Sequence, residues 1–353
     1  MKIGIKGAYG ETNFGDDLLM RVFEDYFIKE FPEDELNFEG EFQPYVSELL
    51  KKGTYLNPNF DADLLVYGGG TQFFSFSEQK PITLKSRFIS LLKNPKRLIE
   101  KLNEKPIKHN IPKAFLGFGI GPFFSEDSSQ QLAKQKVSEA KFVGVRDNVS
   151  LSYCKKWDVK ATLGADVVFS SYFKVPEYSK TNRQKKKIGI IVRDWKWESS
   201  GANYINKLKE IYYENSTDLD LEFIVFAPLK DKYWMDELKD EKIQIWNPEK
   251  HSIDEFLAIL NNYDGFISAR YHGAIIGVLL NKPVICIEIE PKLRILTEQV
   301  KELLLWGKPF NKENLYDQLN KLDYSIDYSA SISVLRSLAD DMLIQFKHLI
   351  NGK

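Results

Sequence analysis

Ile267-Ser268-Ala269-Arg270-Tyr271-His272-Gly273-Ala274-Ile275-Ile276 joins two apolar runs through an arginine and a histidine two residues apart. The run Phe266-Ile267-Ser268 reads as a buried strand, and Ala274 to Leu280 reads as a helix that starts near Gly273. Arg270 and His272 then fall at the C-terminal end of a strand beside a helix N-terminus. Open α/β sheets bind ligands there, and the helix end adds unpaired N–H groups and a partial positive charge. A permanent cation beside an imidazole suits an anionic substrate that also needs a proton. The alternative is an arginine in a buried salt bridge and a hydrogen-bonded core histidine.

The same rhythm extends outward on both sides. Downstream lies the apolar run Pro283 to Ile287; upstream are Lys187 to Val192, a helical Tyr204 to Asn215, Glu222 to Ala227 and a helical Ile253 to Leu260. The first half repeats it with Ile3 to Ile5, a helical Asp17 to Phe31, Leu64 to Tyr67, Ala114 to Phe118, a helical Gln130 to Ala140, Phe142 to Val145, a helical Val149 to Lys155, and Val167 to Phe169 as a further strand. Continuous apolar strands separated by amphipathic helices indicate parallel sheets covered on both faces. Between Tyr172 and Lys187 the composition turns to Pro176, Ser179, Thr181, Asn182 and a basic run, which marks a linker. We expect an α/β protein of two Rossmann-like lobes, residues 1–178 and 186–353, with a cleft between them. The helical tail from Ile332 to Leu349 has no strand after it and is free to cross back onto the first lobe.

Composition bounds the class. A chain of 353 residues, 43% hydrophobic and 13% aromatic, can build two cores. With 49 basic and 50 acidic residues, nothing global argues for nucleic acid as a partner. Two cysteines without metal-ligand spacing suggest neither disulfides nor structural zinc, and a reducing cytoplasm fits best. No run approaches the ~20 apolar residues of a membrane span, and the strand-like start lacks a signal peptide's apolar core. One segment stands apart: residues 81–108 carry eight Lys and Arg against two Glu, interleaved with apolar residues and broken at Pro95. Two basic amphipathic pieces fit peripheral contact with the inner face of an anionic membrane; a solvated helical insertion is the alternative.

Three glycine-rich loops follow successive strands of the first half. The loop from Gly7 to Asp17 contains Asn13, Gly15, Asp16 and Asp17, with Asn13 and Asp16 as natural helix caps; it matches neither a dinucleotide fingerprint nor a P-loop. Gly68-Gly69-Gly70 and Gly117-Phe118-Gly119-Ile120-Gly121-Pro122 likewise strip side chains from strand ends. Together they line one sheet edge, where an active site belongs. Val145-Arg146-Asp147 reads as a structural ion pair with a capping aspartate. In the second half Arg193 also ends a strand and joins Arg270 and His272, and two rigid guanidiniums match a carboxylate and a phosphate on one small molecule. Lys292, after the next strand, is a third cation or a solvated lysine. His109, His251 and His348 are assigned no role.

Taken in order, these motifs resemble the polysaccharide pyruvyl transferase family: Gly10, Asn13, Gly15 and Asp16; Gly68-Gly69-Gly70; Gly117 to Pro122; Val145-Arg146-Asp147; and Arg270-Tyr271-His272. Tyr271 stands where an aliphatic residue is usual, and Gly164-Ala165-Asp166 lacks the proline of a Gly-Asp-Pro element. The resemblance implies a GT-B-like fold, phosphoenolpyruvate as donor bound by Arg193, Arg270 and His272, and a glycan or lipid-linked sugar as acceptor. The product would be a pyruvate ketal, as in exopolysaccharide and cell-envelope synthesis. On that basis His272 is the expected general acid, Arg270 and Arg193 the donor clamp with Lys292, and Asp16 or Asp17 the base. The loops at Asn13, Gly15, Gly68 to Gly70, Gly119 and Gly121 would form the acceptor side of the cleft. No cofactor and no metal are expected. Two other readings remain open at this point: a GT-B glycosyltransferase using a nucleotide sugar, and a non-catalytic protein that binds an anionic metabolite.

Overall fold

The structure is a computed structural model that describes residues 1–75, 111–123, 128–176, 185–195, 200–214 and 218–352. The basic insertion at 81–108 and most of the linker lie outside the described residues.

The first lobe contains β1 (Lys2–Lys6), β2 (Glu35–Glu39), β3 (Thr54–Tyr55), β4 (Leu64–Gly68), β5 (Thr71–Phe73), β6 (Lys113–Ile120), β7 (Phe142–Val145) and β8 (Thr162–Leu163). They form a parallel sheet in the order β3-β2-β1-β4-β6-β7-β8, with β5 also paired to β6. The second lobe contains β9 (Lys187–Val192), β10 (Asp220–Val225), β11 (Gln244–Ile245), β12 (Gly265–Ser268), β13 (Val284–Ile287) and β14 (Leu304–Trp306), parallel in the order β11-β10-β9-β12-β13-β14. Helices cover both faces, which is why the central strands are buried along their length: Ile3, Ile5, Ile188, Ile190, Phe266 and Ile267 are fully inaccessible.

In each sheet the order reverses beside the first strand, between β1 and β4 and between β9 and β12. The connections there leave in opposite directions and open a crevice at the strand C-termini. In the first lobe the crevice holds the loop before α1 (Phe14–Glu30) and the triple glycine after β4. In the second it holds Arg193 after β9, and Arg270 and His272 after β12.

One expected strand is something else. Val167 to Phe169 forms a 3₁₀ turn, because the Asp166 carboxylate accepts the N–H of Val168 and closes the turn after the sheet has ended at β8. The lobes meet through α1: the Phe14 N–H donates to the Phe226 carbonyl at 3.0 Å, and the Phe14 ring packs edge-on against Phe226 and Trp246. The last helix, α2 (Ser329–Ile350), lies on the first lobe, where Tyr26 Oη donates to the Leu343 carbonyl at 3.0 Å and Met342 Sδ accepts the N–H of Gly117 at 3.4 Å. Among the described residues no helix is long and apolar enough to cross a membrane.

Candidate active site

The two crevices face each other across a cavity of about 620 Å³. The strand of the opening segment runs Gly265–Ser268, and the helix after it, α3 (Tyr271–Leu279), starts two residues earlier than the apolar pattern suggests. Arg270 is thus the N-cap and His272 lies in the first turn. The backbone at Arg270 is pinned by Ser268, whose hydroxyl donates to the Arg270 carbonyl at 2.8 Å and accepts its N–H at 3.2 Å. The guanidinium donates through Nε to the Val192 carbonyl at 3.2 Å and through Nη2 to Asp231 Oδ2 at 2.5 Å. Asp231 is buried and also accepts the N–H of Asp194 at 3.0 Å.

Arg193 pairs with Glu290 and stacks over the Trp195 ring at 5.0 Å. Lys292 holds the same Glu290 carboxylate at 2.8 Å. Burial alone would raise the Glu290 pKa, but the charges of Arg193, Lys292 and Arg270 outweigh it and hold the carboxyl below the usual range. Enclosure by the cleft walls, helped by Arg193 and Arg146 and opposed by Glu290, lowers the Lys292 ammonium to about 8. These three cations are therefore fixed by buried acids and need no reorganisation to meet an anion.

From the first lobe, Asn13 and Asp16 line the cavity, Asn13 Nδ2 donating to Asp16 Oδ2 at 2.5 Å while Asn13 Oδ1 caps α1 through the N–H of Gly15. Gly68, Gly69, Gly70 and Gly121 line it as well. Gly119 and Gly15 do not, and serve it from behind. A Cβ at Gly119 would lie 2.9 Å from Arg146 Nη2, and one at Gly15 would run into the His272 ring. Asp17 does not reach the cleft, contrary to expectation: it is fully buried, accepting from Trp246 Nε1 at 2.8 Å and from the Tyr45 hydroxyl at 3.2 Å. It ties the lobes together and cannot reach an acceptor hydroxyl.

Two residues that the sequence did not single out for the cleft belong to its wall, and a third stands behind it. Arg146 does pair with acids, and Asp147 does cap the helix after it by accepting the Ser150 N–H at 2.7 Å. Yet Arg146 also lines the cavity, donating to Thr71 Oγ1 at 2.7 Å and lying 4.3 Å over the Tyr271 ring of the other lobe. Asp231 follows β10, and its position after an apolar strand was the available signal. Asp166 stands behind His272, with Oδ2 3.5 Å from Nε2. Among the described residues no group of three or more His, Cys, Asp or Glu forms a metal site.

The cleft's residues follow a recognised pattern: the sequence profile of polysaccharide pyruvyl transferases matches residues 13–291, most of the chain. The chain belongs to that family. It is a transferase, and the pyruvyl transferase motifs at Asn13, Gly68 to Gly70, Arg146, Arg270 and His272 converge on this cavity. No curated relative matches the chain in sequence. Solved structures share the GT-B-like fold. The S. aureus MnaA–UDP co-structure is 13% identical with a TM-score of 0.60, covering 99% of this chain and 96% of that one. A putative UDP-N-acetylglucosamine 2-epimerase from Listeria monocytogenes is 13% identical with a TM-score of 0.56, covering 100% and 97%. The Methanocaldococcus jannaschii UDP-GlcNAc 2-epimerase in complex with UDP-GlcNAc and UDP gives 13% and 0.56, covering 98% and 99%.

Proposed function

We propose that this pyruvyl transferase moves the enolpyruvyl unit of phosphoenolpyruvate onto two hydroxyls of a glycan or lipid-linked sugar, forming a pyruvate ketal and releasing phosphate. The observation that carries this reading is the set of three cations, Arg193, Arg270 and Lys292, held by Asp231 and Glu290 on one wall beside an imidazole. A carboxylate and a phosphate on one small donor need two such anion contacts, and its vinyl carbon needs a proton.

In the reaction, His272 gives a proton to the vinyl CH₂, which becomes the methyl group, and the positive charge falls on the central carbon. One sugar hydroxyl adds to that carbon and its proton restores the imidazolium, directly or through Asp16 on the opposite wall. The second hydroxyl then displaces phosphate, which leaves with that hydroxyl's proton. Two hydroxyl protons are thus accounted for, one in the methyl group and one on phosphate. Arg270 and Arg193 stabilise the departing phosphate where charge develops. The UDP complexes of the structural relatives raise a nucleotide sugar as the competing donor, on grounds of fold alone.

The test is a donor-binding and phosphate-release comparison of wild type and His272→Gln. Turnover should fall by about 10²–10⁴-fold, the usual worth of a general acid, with phosphoenolpyruvate affinity nearly unchanged. A variant that loses donor binding while its turnover at saturation stays intact contradicts the acid role.

A further inference from the structure

Asp166 stands behind His272, outside the residues that line the cavity and 1% exposed, in the loop after β8. Its Oδ1 accepts the Val168 N–H at 3.2 Å, which fixes the carboxylate. Its Oδ2 points at two groups, His272 Nε2 at 3.5 Å and Arg146 Nη1 at 3.4 Å. His272 Nε2 is buried and has no hydrogen-bond partner, so a proton on it has only Asp166 to turn to. Burial would raise the Asp166 pKa, but the facing charges of His272 and Arg146 and the Val168 N–H outweigh it, and the carboxyl stays below its usual range as an anion. On the ring's other edge, a Cβ at Gly15 would collide with the imidazole at Nδ1, so glycine keeps a side chain off that nitrogen.

We infer that Asp166 is the positioning residue of His272, holding the proton of Nε2 and leaving Nδ1 as the nitrogen that exchanges a proton with the substrate. The role of the exchange rests on the pyruvyl-transfer reading; the pairing does not. When the Nδ1–H bond breaks, its electrons stay on Nδ1 and the proton forms the new C–H bond of the donor's methyl group. Nε2 keeps its proton toward Asp166 throughout, and Asp166 itself is never protonated. The charged groups that line the cavity with His272 include Arg146 from the end of β7, Arg270 from the ring's own strand–helix junction and Asp16 from α1, and the Tyr271 ring lies 5.6 Å from the imidazole. Of the carboxylates, Asp166 is the one within 4 Å of a His272 ring nitrogen among the described residues.

Asp166→Asn tests this, because asparagine keeps the shape and the turn-closing oxygen but removes the charge. The readouts are imidazole ¹⁵N NMR, with His272 assigned through His272→Gln, and the pH profile of phosphate release. In wild type the neutral ring should carry its proton on Nε2, and in the variant that preference should weaken. With phosphoenolpyruvate, kcat should fall by about 10- to 100-fold with KM within about threefold, and the alkaline limb should move down by about one pH unit. A folded variant in which neither the tautomer nor the limb moves overturns the inference. If the variant does not fold, the wild-type spectrum decides: a proton on Nε2 supports the pairing, and one on Nδ1 ends it. If phosphoenolpyruvate is not turned over at all, the function reading fails while the tautomer still decides the pair.

Discussion

Asp16 and Asp17 occupy adjacent positions in the first turn of α1, and the ~100° step between neighbours on a helix sends them to different places. Asp16 enters the cleft; Asp17 turns into the joint between the lobes. Burial pushes the Asp17 carboxyl up to about 7, with the neighbouring Asp16 adding to the effect and hydrogen bonds from Trp246 and Tyr45 opposing it. The folded protein therefore holds this proton more tightly than the unfolded chain, whose reference value is 3.8. The stabilising contribution is complete below that value and is lost as pH rises to about 7. Relative to Asp17→Asn, wild type should lose up to about 4 kcal/mol across that interval and nothing more above it, as read by denaturant unfolding. A pH-independent difference between the two proteins would contradict this. The sequence could name both carboxylates as cap-region acids, but which one faces solvent depends on the phase of α1 against Trp246, a residue of the other lobe. Arg146 was hidden for a similar reason: its role in the wall comes from Tyr271, 125 positions away in the chain, rather than from its local Arg-Asp pattern.

At the scale of elements, the buried central strands were legible because continuous apolar runs of four to six residues between helices have few other homes. The opening segment gave both its strand and its helix, with the helix start displaced by two residues. The two-residue edge strands β3, β8 and β11 have no such run to announce them, and the three apolar residues after Asp166 fitted a strand as well as a buried turn. The tail helix α2 is a case where the pattern named the element and packing gave its purpose. Met342 fits against backbone left bare by glycine: a Cβ at Gly144 or Gly164 would lie 2.5 or 2.6 Å from its Sδ. Met342→Ala empties that seat and should destabilise the protein by about 2–5 kcal/mol in denaturant unfolding, a loss felt in the first lobe although the residue belongs to the second half of the chain. An effect below about 0.5 kcal/mol, the range of ordinary surface changes, would mean that α2 does not brace the first-lobe sheet.

For the whole molecule, the cleft depends on two sheets turning their switch points toward each other. The first lobe brings glycine-stripped loops and Asp16, and the second brings cations already fixed by buried acids. The family motifs are spread from Asn13 to His272 and meet only because each follows a strand of one sheet or the other. The direct test of a phosphoenolpyruvate site at the second lobe's switch point is thermal stabilisation of wild type and Arg270→Ala, each against its own ligand-free melting curve, with UDP-sugars as controls. Phosphoenolpyruvate at a hundredfold excess over Kd should stabilise wild type by about 2.7 kcal/mol and leave Arg270→Ala unmoved, with no shift from UDP-sugars. A shift with a UDP-sugar and none with phosphoenolpyruvate, or an equal phosphoenolpyruvate shift in both proteins, would contradict it.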